Sequence, residues 1–307
     1  MNASDFPFVA IVMAVFNNKA ETEAGLRNLM QITYPNYKII VVDDGSTDGT
    51  SEMVRREFPN VVLVQGGGDW WWTKCTNTGV RRAIEIGARY ILIAENDHRG
   101  EPGFLQPLVA SAERNARAIT YSKVRRHDQP DRIYHTGWKV NWLGGGLVRT
   151  GVNELDRGQY DRELDSAACN VNMLINTAFF QDLGFFDEEK MPQYWSDIDF
   201  TYRAFKKGYR NILVPTSVIW NKGGATSRSD MQSGNTSLVK VWRFLSTSRR
   251  SGNNFREAWA FYRRHCPRLL LPYQMTRNLV SVVGMGVKWK LNSLRRTKSG
   301  HDSIGVE

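Results

Sequence analysis

The sequence predicts an α/β fold: a mostly parallel central sheet flanked by helices, with a basic helical segment behind it. Three observations carry this. Apolar runs at residues 8–15, 37–42, 61–64 and 88–94 recur along the first third of the chain. Stretches of helical periodicity at about 19–31, 50–57 and 73–87 separate them. Short β-branched runs of that kind read as strands buried on both faces, and their alternation with helices reads as successive βαβ units in a doubly wound sheet. The third observation is charge. Residues 231–307 hold 14 Lys and Arg against Glu257, Asp302 and Glu307, whereas residues 1–230 hold 27 bases and 28 acids. The formal +10 of the 307-residue chain therefore resides in its last quarter. We expect a domain over residues 1–230 and a basic amphipathic helical region over 231–307.

The elements follow in order. Residues 8–15 form the first strand, and 19–31 a helix with Leu26, Leu29 and Met30 inward. Tyr34-Pro35-Asn36 punctuates the chain before the second strand. The turn Asp44-Gly45-Ser46-Thr47-Asp48-Gly49-Thr50 leads into a helix, and its Ser, Thr and Asp side chains suit orphan N–H groups. A third strand, a helix and a fourth strand complete the regular alternation. Beyond Asp97 it loosens, with a helix at 104–115, a short strand at 118–121, and hairpins and loop over 122–166. A helix at 197–207 and strands near 211–214 and 217–220 follow. Gly144-Gly145-Gly146 lacks the strand-then-helix setting of a dinucleotide site. Further helices are expected at 237–249, 254–265 and 276–294.

Composition bounds the rest. The 41% hydrophobic and 23% charged residues argue against wholesale disorder. Cys75, Cys169 and Cys266 are scattered and form no C-x-x-C pair, which argues against a disulfide framework or zinc cluster and fits a reducing cytosol. Asp5 and Pro7 precede the first apolar run, so no secretory signal is expected. The apolar stretch 269–287 is interrupted by Pro272, Gln274, Arg277 and Asn278, a poor membrane span.

Three acidic clusters fall where such a sheet binds ligands. They are Asp43-Asp44-Gly45-Ser46-Thr47-Asp48, Glu95-Asn96-Asp97 and Ser196-Asp197-Ile198-Asp199. The first two directly follow strands, and the crevice at the carboxyl ends of an open α/β sheet is where ligands sit. Adjacent acids repel unless something binds or pairs with them. A hard cation held by carboxylates would offset the charge of a diphosphate. Taken singly, each cluster also suits a helix cap or a solvated turn.

The order strand–Asp-Asp-Gly-Ser-Thr-Asp, strand–acid-x-Asp, and aromatic–Ser-Asp-Ile-Asp before a helix ending Lys207-Gly208-Tyr209 resembles the family-2 inverting glycosyltransferases over residues 8–228. Within that group, Gly68-Asp69-Trp70-Trp71-Trp72-Thr73 followed by Asn77-Thr78-Gly79 is similar to the bacterial polysaccharide, rhamnosyltransferase-like branch. The resemblance implies the GT-A fold and transfer of a sugar from a UDP- or dTDP-linked donor to a growing cell-surface glycan. It implies that Asp44 accepts an N–H from the donor's base, favouring uracil or thymine over cytosine, with Ala14, Val15 and Phe16 lining that pocket. Lys74 and Asn77 belong to the same donor side. Asp97 would bind Mg²⁺ or Mn²⁺, with Glu95 where the family carries its first Asp, and Asp197 would be the base that takes the acceptor's proton. Two departures stand out. Ser196 replaces the family's Glu, and Asn221 occupies a place where a His often completes the metal shell, an amide oxygen being the weaker ligand. His98 is left out as an ordinary surface residue. Trp70, Trp71 and Trp72 either flank a sugar or plug a helix start; Trp71, Trp72 and Trp195 are taken as the acceptor or sugar side, and Asp199 is structural or on the acceptor side.

The tail interleaves its bases with Trp242, Phe244, Phe255, Trp259, Phe261, Tyr262 and Trp289. Basic helices with an apolar side lie on membranes, each Lys or Arg near an anionic leaflet contributing roughly 1 kcal/mol. Such docking suits an acceptor carried on a polyprenyl diphosphate, and a cytoplasmic protein held peripherally on the inner membrane face. Nucleic acid would be drawn to the same charge, but no nucleic-acid module is present and no such partner is expected. Two rivals are a sugar nucleotidyltransferase, which would show a Gly-rich loop where residues 13–19 have no Gly, and a non-catalytic membrane- or nucleic-acid-binding protein.

Overall fold

The computed structural model describes residues 5–170, 172–222, 238–249, 251 and 254–301. They form two compact units. The first takes in the described residues through Val140, Leu147–Pro192 and 196–222, and the second Asn141–Gly146, Gln193–Trp195 and the described residues from Leu238 on.

The first unit opens with β1 (Val9–Val15), α1 (Lys19–Leu29), β2 (Tyr37–Asp43), α2 (Thr50–Glu57), β3 (Val62–Gln65), α3 (Trp71–Glu85) and β4 (Tyr90–Ala94). Then come β5 (His98–Gly100), α4 (Leu105–Arg114), β6 (Ala118–Arg126) and β7 (Ile133–His135). A hairpin, β8 (Trp138–Asn141) with β9 (Gly146–Arg149), precedes β10 (Leu164–Ser166) and β11 (Met173–Asn176). The unit closes with α5 (Phe179–Leu183), α6 (Ser196–Lys206) and β12 (Arg210–Asn221).

The main sheet runs β10-β12-β6-β11-β4-β1-β2-β3, with β5 on β12 and β7 on β6. β1 pairs in parallel with β2 and β4, and β2 with β3, as the β-α alternation predicts. The sequence does not predict β11, which is inserted between β4 and β6 and is antiparallel to both. The two strands expected near 211–214 and 217–220 are one, β12, with a register irregularity between Val214 and Val218. Pro215, which has no N–H to give the ladder, falls in that irregularity.

Why β1 and β4 and the middle of β2 are apolar at successive positions is visible in their two faces. Ile11 and Met13, with Ile39, Val41 and Leu92, pack against Leu26, Met53, Val54, Leu105 and Leu108 of α1, α2 and α4. Ala10 and Val12, with Ile40, Val42, Ile91 and Ile93, pack against Val80, Ala83, Phe179, Phe180 and Phe200 of α3, α5 and α6. Residues alternate across the sheet and helices cover both sides, so both sets of side chains along β1, β4 and the middle of β2 are apolar. The closest approach is at Gly79, where a Cβ would lie 2.4 Å from Val12 Cγ1 and 3.2 Å from Val42 Cγ2. Gly79→Ala would gain about 1 kcal/mol of helix propensity. It would meet overpacking of about 1–3 kcal/mol in a sheet that cannot yield. We expect net destabilisation, read as a lower urea midpoint with an unchanged slope.

The second unit holds α7 (Leu238–Thr247), α8 (Phe255–His265) and α9 (Leu271–His301). Asn254 caps α8 by accepting the Arg256 N–H. Within this unit Trp142 packs edge-on to Tyr262, and the Tyr273 hydroxyl donates to the Leu143 carbonyl at 2.9 Å. No helix among the described residues is long and apolar enough to cross a membrane.

Candidate active site

The crevice is built from chain segments leaving the carboxyl ends of β1, β2, β3 and β4. At the end of β2, Asp43 accepts from the Ser46 N–H at 3.0 Å, the Ser46 hydroxyl at 2.5 Å and the Ser51 hydroxyl. Asp44 accepts from the N–H groups of Gly68 (3.0 Å), Trp70 (3.1 Å) and Trp71 (2.8 Å). The repulsion between these adjacent acids is thus offset by the protein's own donors, and Asp44 fixes the loop that leads into α3. Gly45 has φ +71°, and a Cβ there would sit 2.9 Å from the Gly68 nitrogen, so the two turns touch at backbone distance. Beside them Val15 accepts the Asp44 N–H at 3.0 Å, Ala14 is partly buried, and Phe16 is 46% exposed at the rim.

The three consecutive tryptophans divide their work. Trp70 lies under the Lys74 ammonium, 5.0 Å from the ring centroid. Trp71 adopts φ +61°, a strained backbone for a bulky residue, where Asp44 holds its N–H. Trp72 packs edge-on to Phe186 and donates its indole N–H to Glu95 at 3.0 Å. Lys74 is exposed. Asn77, expected on the donor side, is instead buried: its amide donates to the Phe186 carbonyl and Glu188 and accepts the Phe186 N–H. Its amide is spent on holding residues 186–188, not on a ligand.

Glu95, Asp97 and Asp197 form one acidic group. Burial, with the charges of Asp97 and Asp197 adding to it, pushes the Glu95 carboxyl up to about 8. Glu95 is therefore mostly protonated at pH 7. The segment after β4 folds back as β5 and pairs with the end of β12, opposing His98 to Asn221. His98 Nε2 lies 2.9 Å from the Asn221 amide nitrogen and 3.8 Å from Asp97 Oδ1. Far from being a surface residue, His98 is buried and its Nδ1 has no partner. Burial holds its imidazole below the usual value, so the ring is neutral at pH 7.

Among the described residues no three His, Cys, Asp or Glu side chains converge as a complete metal site. A buried carboxyl raised by the charges of two neighbouring acids, beside an unpartnered buried ring nitrogen, fits a hard cation whose remaining ligands would come from phosphate oxygens.

The third cluster opens α6. The Ser196 hydroxyl bonds the Thr73 hydroxyl at 2.7 Å, and Thr73 also donates to the Met191 carbonyl, which pins the helix start to α3. Asp197 is partly exposed and accepts the Ile198 N–H at 2.7 Å. Burial, helped by the charge of Asp199 and opposed by the Ile198 bond and by Arg149, pushes its carboxyl up to about 6. A base with that value is ionised at neutral pH yet strong enough to draw a proton. Asp199, the acceptor-side candidate, is fully buried and bonds Arg203 Nε at 2.9 Å, while Arg203 also reaches the Leu183 and Phe185 carbonyls. It holds α6 to the 183–185 turn and is not presented to an acceptor.

Arg149 stacks on Trp138, 4.9 Å from the ring centroid, and its charge lowers Asp197. Removing it lets the Asp197 value rise, so Arg149→Ala should move the acidic limb of kcat/KM to higher pH. A limb at the wild-type position would mean that the limb does not report Asp197. Trp195, with φ +70°, belongs to the second unit and packs on Phe261 and Tyr262 at centroid distances of 5.0 and 5.8 Å.

A doubly wound sheet with one antiparallel strand inserted and acids on the loops after its strands defines the GT-A class of glycosyltransferase fold. Comparison with known proteins agrees. The sequence profile of glycosyl transferase family 2 matches residues 10–184, and the chain belongs to that family. An N-acetylglucosaminyl-diphospho-decaprenol L-rhamnosyltransferase of Mycobacterium tuberculosis is 23% identical over 243 residues, 71% of this chain and 77% of that one. Glycosyltransferase AglE of Haloferax volcanii is 38% identical over 213 residues, 67% of this chain and 64% of its own length. Among solved structures, a mannosyltransferase of Pyrobaculum calidifontis in complex with GDP-Man and Mn²⁺ superposes with a TM-score of 0.57. It is 15% identical, with 100% of this chain and 78% of that one covered.

Proposed function

We propose that this glycosyltransferase inverts the anomeric centre as it moves a sugar from a UDP- or dTDP-linked donor to a glycan carried on a polyprenyl diphosphate. The observation that carries the proposal is the grouping of Asp197, pushed up to about 6, with Asp97 and Glu95 in one crevice. In it Asp197 takes the proton of the acceptor hydroxyl as that oxygen attacks the anomeric carbon. The bond to the donor's β-phosphate oxygen breaks on the opposite face, which inverts the configuration. Asp97, with Asn221 and His98 beside it, would hold Mg²⁺ or Mn²⁺, whose charge would offset that of the departing diphosphate. The nucleoside lies against Ala14, Val15 and Phe16. Asp44 accepts three N–H groups of the protein, and a carboxylate has room for about four, which leaves one site for the imide N–H of uracil or thymine. Trp71 and Trp72 shape the sugar side, and Lys74 faces the phosphates.

The second unit supports a lipid-borne acceptor. Leu269, Tyr273, Val280, Val283 and Val287 are exposed at spacings that place them on one side of α9 and the turn before it. From residue 258 to 301 there are nine Lys and Arg and no acid. An apolar stripe in acid-free, basic surroundings suits the interface of an anionic membrane. Incubation with UDP- or dTDP-sugars and a polyprenyl-diphosphate sugar, with NMR of the product's anomeric centre, tests the reaction. Inversion is expected, and retention contradicts it. Flotation with anionic but not neutral vesicles is expected for the membrane role, and equal recovery in both contradicts it.

A further inference from the structure

Glu257 is the single acid between Asp230 and Asp302, in the middle of the basic region. Such a residue would ordinarily be solvated, but it is 2% exposed in the first turn of α8. Its Oε2 accepts the Tyr194 N–H at 2.7 Å and the Gln193 N–H at 3.3 Å, and its Oε1 is buried without a partner. Burial comes at a cost in free energy, and pushes the carboxyl up to about 7. One turn further along α8, Phe261 and Tyr262 pack on the Trp195 ring. The helix therefore holds Gln193–Trp195 twice, by backbone and by ring, and holds Trp195 in a left-handed conformation that a Trp adopts only under constraint. Asp197 follows two residues later. Ser196 carries no acid to brace this stretch, and its hydroxyl is engaged with Thr73.

We propose that Glu257 is a positioning residue for sugar transfer: by accepting the peptide N–H groups of Gln193 and Tyr194 it fixes the path of the chain into Asp197. The proposal rests on Asp197 being the base. Its specific content is that the acceptor oxygen of residue 257 matters, whether or not the side chain is charged. Glu257→Gln keeps an oxygen for both N–H groups, and Glu257→Ala removes it.

The test is made in the full chain, with kcat, KM for donor and acceptor, nucleotide Kd and thermal midpoint measured for both variants. Glu257→Ala is expected to lose about 10- to 100-fold in kcat, the scale of an ångström-sized misplacement, with nucleotide Kd unchanged. Glu257→Gln is expected to recover most of that loss. Should Glu257→Ala not fold, Glu257→Asp, which withdraws the oxygens by one methylene, carries the same expectation. A folded Glu257→Ala with wild-type kcat overturns the proposal. So does an equal loss in Ala and Gln variants, or a loss of kcat that merely parallels weakened nucleotide binding and stability. Asp197→Asn, assayed alongside, separates the two claims. If it remains active the base assignment fails, and if it is inactive while Glu257→Ala is fully active only the present proposal fails.

Discussion

Asp197→Asn is expected to reduce kcat about 10³-fold, within the range that a positioned general base contributes, while leaving nucleotide affinity nearly intact. The amide keeps the shape of the side chain and can still accept the Ile198 N–H. What it loses is the ability to take a proton. Because burial pushes Asp197 up to about 6, the wild-type rate has a matching signature. An acid must be ionised to act as a base, so kcat/KM should hold above that value and fall tenfold per unit below it. Transfer and nucleotide binding measured on the same preparation check the assignment. An Asp197→Asn protein that transfers normally, or that loses nucleotide binding along with transfer, would contradict the division of roles.

Asp97→Ala is expected to abolish transfer and, unlike Asp197→Asn, to weaken nucleotide binding by at least about tenfold, or about 1.4 kcal/mol. The diphosphate would carry negative charge into a crevice that already holds Asp97 and Asp197, so the proposed site makes binding cation-linked. The control is internal. Chelation with EDTA should lower wild-type affinity to that of Asp97→Ala and should leave the variant unchanged. An Asp97→Ala protein whose nucleotide affinity still responds to Mn²⁺ would place the cation on other residues.

Most of the fold was legible because each of the first four strands is apolar on both faces, a pattern that only a helix-covered parallel sheet requires. β11 was not legible: Met173–Asn176 is a four-residue strand with three apolar residues, and its antiparallel place between β4 and β6 is decided by partners far away in sequence. The site divides the same way. The acids were readable as clusters, two directly after strands and one at a helix start. His98 was not, because its burial comes from pairing with Asn221, 123 residues later. Asn77 was placed on the donor side by family resemblance, but its amide is engaged with Phe186 and Glu188. Asp199 could have been placed from the sequence, since Arg203 stands four residues on along one helix. A signal for Glu257 was also present, as a lone acid in a long basic stretch has to be either an accident or a buried acceptor.

The most direct test of the central claim, a cation-assisted donor site for a uracil or thymine nucleotide, is calorimetric titration with UDP, dTDP, GDP and CDP. Each is titrated with Mn²⁺ or Mg²⁺ and again with EDTA. UDP or dTDP should bind with the cation present, CDP should bind more weakly, and EDTA should remove the signal. A folded protein that binds none of the four, or binds them equally with and without the cation, would contradict it.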